Sequence, residues 1–254
     1  MNKNLASVLG VTTILVLTLI VVIVYDNHLN ELEDLRQPNI MGSYFFKWGY
    51  FNIDPATILL SMENGGANVF TPLSEEDALD REALTDLPIY WMQSDFLKIA
   101  SALGQYVWDD PMDLKEWSVY TIDFTGSCGD PIGFDSAGIT YFKTEGITYV
   151  TRLIEIEPYF GWARWGDEGI YPQPILQKWH GVELLRAKIT ADDALRIVNE
   201  DVMARFQIID NVCGVTVDSS LDYPKNWDLK ILRGSLDMIY YTANFDTGEY
   251  TFHE

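Results

Sequence analysis

From Leu5 to Tyr25 the chain runs for twenty-one residues without a charge. A helix of that length, rising 1.5 Å per residue, matches a hydrocarbon core of about 30 Å. This run constrains the chain more than any other feature and predicts a transmembrane signal-anchor over residues 1–25. A cleaved signal peptide is the rival reading. The run is longer than the usual apolar region of a signal peptide, and it exits on Val-Val-Ile-Val-Tyr-Asp without a small-residue cleavage site, which favours the anchor. Lys3 precedes the run while Asp26, Glu31, Glu33 and Asp34 follow it. The positive-inside rule then predicts a single-pass cell-membrane protein, attached through residues 5–25, with a cytoplasmic N-terminus and an extracytoplasmic C-terminal region.

Charge narrows the choice of partner. The 254 residues carry 38 Asp and Glu against 17 Lys and Arg, a net charge of −21, and every acid lies after residue 25. Sequence-independent nucleic-acid binding needs a cationic surface, so nucleic acid is excluded as a partner. The same argument points to a cationic or neutral protein of the cell envelope. With 48% hydrophobic and 13% aromatic residues the acidic part has ample material for a core.

After the anchor, residues 26–72 read as a polar stalk, in which Leu29, Leu32 and Leu35 recur before Pro38, and an aromatic irregular segment from Tyr44 to Phe51. That segment is expected either as a strand on the core or at a membrane interface. Residues 73–174 form a first α+β module: Ser74 caps a short acidic helix, and Phe96, Leu97, Ile99, Ala100, Leu103 and Val107 repeat at helical spacing up to Asp109-Asp110-Pro111. Alternation over Trp117–Phe124, Ile139–Phe142 and Ile147–Ile156 predicts antiparallel strands. Residues 161–174, with three glycines and two prolines, mark a boundary. Residues 175–254 form a second α+β module, with a helix opened by Thr190 and Asp193 and strands near Gly214–Val217, Trp227–Leu232 and Met238–Phe245. The fold class expected is therefore α+β: a transmembrane helix followed by antiparallel sheets with packed helices, arranged as two related helix-plus-sheet modules. Trp117 and Trp227 take comparable places in that scheme.

The second module resembles a known family. Ile189-Thr190-Ala191-Asp192-Asp193-Ala194-Leu195-Arg196-Ile197, then Trp227, then Tyr240-Tyr241-Thr242-Ala243-Asn244-Phe245-Asp246-Thr247-Gly248-Glu249-Tyr250, is similar to the PepSY domain over residues 188–254. That family shows an I-[ST]-x-x-[ED]-A helix start and a final hairpin ending in T-G-[EK]. Asp193 stands where Glu is commoner, and the residues that space Asp246 from Thr247 in the family are missing. The resemblance implies a small non-catalytic α+β module that inhibits or regulates a partner, with no catalytic residues to carry over.

Catalytic signatures are absent from the sequence. The three histidines, His28, His180 and His253, belong to no H-E-x-x-H motif, and neither G-x-S-x-G, a P-loop nor a dinucleotide fingerprint occurs. No catalytic residue, cofactor or metal is assigned; acid-rich turns at Asp109–Asp113, Asp130–Asp135 and Asp218–Asp222 read as solvated surface and not as a calcium loop. Candidate partner-binding residues are Tyr159, Trp162 and Trp165, whose aromatic faces offer contact area in a glycine-bounded segment. Core packing is the competing use of the same rings. The two cysteines, Cys128 and Cys213, are a candidate disulfide or two separate thiols. Function is expected to be binding, regulation or structural support of another envelope protein; the alternative is a carbohydrate- or cell-wall-binding surface protein that uses exposed Trp and carboxylates.

Overall fold

The computed structural model describes residues 47–63, 69–84, 90–127, 133–145, 148–172, 181–206, 213–220, 225–233 and 237–253. In chain order they form β1 (Lys47–Asn52), α1 (Ile58–Glu63), β2 (Thr71–Leu73), α2 (Glu75–Leu79), α3 (Gln93–Trp108), β3 (Ser118–Ser127), β4 (Phe134–Glu145), β5 (Thr148–Glu157), β6 (Trp162–Pro172), α4 (Ala191–Phe206), β7 (Cys213–Ser220), β8 (Asn226–Arg233), β9 (Asp237–Asn244) and β10 (Tyr250–His253). All ten strands join one antiparallel sheet in the order β10-β9-β8-β7-β3-β4-β5-β6-β1-β2.

Three expectations are corrected. Among the described residues the fold is a single continuous antiparallel sheet with two long helices, not two separate helix-plus-sheet modules, because β3 and β7 pair from Thr121↔Ser220 to Ser127↔Gly214 and merge both halves. The transmembrane and single-pass cell-membrane expectations are not supported: among the described residues no helix is long and apolar enough to cross a membrane. The run 5–25 that carried them lies outside the described residues. Finally, the stretch opening at Gly161 is β6, which pairs with both β5 and β1.

The helices follow from local sequence. Ser74 caps α2, accepting from the Asp77 N–H at 3.0 Å. In α3 the apolar repeat Phe96, Ile99, Ala100 and Leu103 is fully buried, and Asp109 ends the helix in the left-handed region at φ 52°. The β-strands alternate. Val119, Ile122 and Phe124 of β3, Val215 and Val217 of β7, and Trp227, Leu229 and Ile231 of β8 face the helices and form one core with Ala194, Leu195, Val198 and Val202 of α4. Trp227 is fully buried, and its indole N–H donates to the Ile189 carbonyl at 2.9 Å.

The sheet is built from a repeated unit, a helix followed by a four-stranded meander, with the first strands of the two units paired at the centre. The start of each helix is tied in the same way. Asp95 accepts from the Met92 N–H at 3.0 Å, and Asp193 accepts from the Thr190 N–H at 3.3 Å and the Thr190 hydroxyl at 2.8 Å. The two helix starts also clasp each other: the buried Gln93 side-chain Oε1 accepts from the Ala191 N–H at 2.7 Å, while the Asp192 carboxylate accepts from the Gln93 backbone N–H at 3.2 Å. Each bond satisfies a backbone donor that the helix cannot pair internally. Trp117 and Trp227 are not equivalent in this repeat, since Trp117 precedes the first strand of its unit and Trp227 lies in the second strand of its own.

Candidate functional site

The helices cover one face of the sheet, and the residues between the core positions point the other way. Directly opposed residues on neighbouring strands share a face. The register therefore defines one row across the outer face: Arg164, Glu155, Gly138, Asp123, Asp218, Asp228, Thr242 and Thr251, running from β6 to β10. Four members are carboxylates and three of them, Asp123, Asp218 and Asp228, occupy consecutive strands. Like charges in directly opposed positions repel.

Two of these acids have cations in direct contact. Arg164 pairs with Glu155 at 2.7 Å, and Lys230 pairs with Asp218 at 2.6 Å. Asp123 sits between them. Gly138 makes room for it, since a Cβ at that position would fall 2.7 Å from the Asp123 Oδ1. Asp123 is exposed as a residue, while its carboxyl, held within the row, is partly desolvated. That desolvation, then the charges of Asp218 and Glu155, push its pKa up to about 6, against the opposing pull of the Gly138 N–H and Lys230.

A bulge crowds the acids further. The β3–β4 register shifts between Thr125↔Ser136 and Gly126↔Phe134, leaving Asp135 as the extra residue beside the end of β5. Glu157 closes β5 there. Burial, followed by Asp135, Glu155 and Asp123, pushes its carboxyl up to about 7. Desolvation also raises Asp135 and Asp228, the latter helped by Asp218.

Beyond Asp228 the outer face turns apolar. Leu232 opposes Met238, and Tyr240 opposes Lys230. All three apolar side chains are exposed, at 40%, 46% and 43%. This group and the carboxylate row lie side by side on β3, β7, β8 and β9. Sequence reasoning missed the site because its members are spread from residue 123 to residue 240 and only the pairing register joins them. The one available signal was the alternation of acids with apolar residues in segments such as Val217-Asp218 and Trp227-Asp228-Leu229-Lys230.

The residues singled out from sequence are not brought together. Trp162 and Trp165 are strand residues on opposite faces of β6: Trp162 meets Tyr50 edge-on at 5.5 Å, and Trp165 meets Trp108 edge-on at 5.6 Å on the helix side. Tyr159 lies in the β5–β6 turn against Phe160, 5.3 Å away. Cys213 opens β7, whereas Cys128 lies outside the described residues.

Neither the cleft of about 350 Å³ lined by Trp117, Val119 and Gly181–Arg186 nor the cleft of about 310 Å³ lined by Asn52, Asp54 and Thr71 includes Asp123 or Glu157. Among the described residues, no group of three or more His, Cys, Asp or Glu side chains is arranged to hold a metal ion. No family model matches the chain, and no curated protein matches it. Among solved structures the chain is similar to the dehydratase domain from the CurF module of curacin polyketide synthase, at 11% identity over 83% of this chain and 88% of that one, with a TM-score of 0.20. A likeness at that score carries no argument about fold or activity.

Proposed function

We propose that this chain is a non-catalytic protein-binding module whose outer sheet face receives a segment of a partner protein bearing Lys or Arg beside apolar side chains. The observation that carries this reading is the juxtaposition of the Asp123–Asp218–Asp228 row with exposed Leu232, Met238 and Tyr240. An exposed apolar group with a charged border is the arrangement of an interface core and its rim. The crowded carboxylates repel one another, and a cation laid across them removes that repulsion on arrival. The likeness of residues 188–254 to PepSY domains, which regulate partners without catalysis, agrees with the reading in kind.

A peptide that alternates Lys with Leu is the probe, measured by calorimetry against the full-length chain, with an alternating Glu and Leu peptide as control. The Lys peptide is expected to bind with an affinity that falls as salt rises. D228N and Y240S should each weaken it by about tenfold, the loss of one good contact. Equal binding of the Glu peptide, or no binding of the Lys peptide, overturns the proposal.

A further inference from the structure

Resting on that docking face, we infer that docking is proton-linked: a cation settling over Asp123 and Glu157 drives off protons those carboxyls hold, so that the face grips its partner near neutral pH and releases it as pH falls. The geometry behind this is the uneven sharing of cations. Arg164 is committed to Glu155 and Lys230 to Asp218. Asp123 on β3 is faced by Glu155 from β5, Asp218 from β7, Lys230 from β8 and the Gly138 N–H from β4. Glu157 is faced by Asp135 from β4, Glu155 from its own strand and Asp123 from β3, and all three acids raise it, while the diagonal Arg164 of β6 is committed to Glu155.

Two carboxyls so placed keep protons to higher pH than an ordinary carboxyl does, and the values of about 6 for Asp123 and about 7 for Glu157 follow that placement. A partner cation stabilises the ionised form and lowers both. Linkage then requires that binding releases protons between about pH 6 and 7 and that affinity rises with pH across that window. His253 on β10 touches the Thr242 hydroxyl at 3.1 Å and acts on Asp228, so its contribution has to be separated.

The test titrates the Lys and Leu peptide into the full-length chain at pH 7.5 and 5.5, and at pH 6.5 in two buffers of different ionisation enthalpy. The expected result is about tenfold weaker binding at pH 5.5 and a buffer-dependent heat that reports proton release. H253Q keeps the pH dependence, whereas D123N and E157Q each flatten it. Unchanged affinity between the two pH values with binding intact overturns proton linkage and leaves the docking proposal standing. Absence of binding at every pH overturns both. Carboxyl carbon NMR of the free protein is a check that needs no ligand: midpoints near 4 for both Asp123 and Glu157 overturn the inference.

Discussion

The two halves of the sheet solve the same packing problem with reversed parts. In the first, a cation on a strand is held by rings on and just beyond the helix: the Arg152 guanidinium of β5 lies 4.6 Å from the Trp108 ring centre and 4.5 Å from that of Trp117. In the second, the cation belongs to the helix and the ring to a strand, with Arg205 of α4 at 5.4 Å from Phe252 of β10. The difference is one of depth. Arg152 is largely covered and pairs with Asp110 at 3.2 Å, while Arg205 is half exposed and pairs with Asp201 at 2.6 Å. A cation–π contact gains strength as water is excluded, so the same pairing is a core element in one half and a surface ornament in the other.

The largest effect expected from breaking that symmetry is at Arg152. Replacing it with Ala leaves Asp110 without its nearest cation and opens space between two indoles, in a region where the Tyr141 hydroxyl and the Trp117 indole N–H already have no hydrogen-bond partner among the described residues. A loss of about 3–5 kcal/mol is expected, seen as a large drop in the urea midpoint. R205A should move the midpoint hardly at all. Equal effects of the two variants would refute the difference in depth.

A smaller effect is expected where the helix starts meet. Q93A removes the acceptor of the buried Ala191 N–H, and leaving such a donor unmet costs about 1–3 kcal/mol. Q93E keeps an acceptor and should recover most of that loss if the bond, and not the volume of the side chain, is what matters.

How much of this was legible before the fold was known depends on the range of the interaction. The starts of α2 and α4 were readable because Ser74 and Asp193 each act within three residues, whereas α3 was readable from its apolar repeat and its tie from Asp95 to Met92 was not. Strand periods were readable in β3, β5 and β8 because one face is core. The glycines of β6 misled: Gly161 does turn the chain, at φ 70°, but Gly166 sits in a strand paired on both sides. Tyr159, Trp162 and Trp165 looked like one aromatic surface, yet a period of two sends Trp162 and Trp165 to opposite faces. The merger of two modules into one sheet and the carboxylate row both rest on the β3–β7 register, a contact between residues nearly a hundred positions apart that no local pattern encodes.

The smallest and most diagnostic effect separates the two faces of that shared seam, and its sign can be worked out for Asp123. Its carboxyl is raised from 3.8 to about 6 by desolvation first and by Asp218 and Glu155 next. An acid raised in the folded state binds a proton more tightly there than in the unfolded chain, so its contribution to stability is fully present below the unfolded value and is lost as pH rises through about 6. Glu157, raised from 4.5 to about 7, extends that loss to neutral pH. Stability should therefore decline between pH 5 and 7.5, the reverse of what paired carboxylates give. D123N removes one repelling charge while keeping an acceptor for the Gly138 N–H, and it should raise the melting temperature at pH 7.5 by roughly 2–4 °C and leave it unchanged at pH 4. A core-facing residue of the paired strand behaves oppositely: V217A in β7 lowers the melting temperature at both pH values, because apolar burial does not titrate. A D123N gain that persisted at pH 4 would mean that the carboxylate row is not under electrostatic strain, and a face without that strain has nothing to offer an incoming cation.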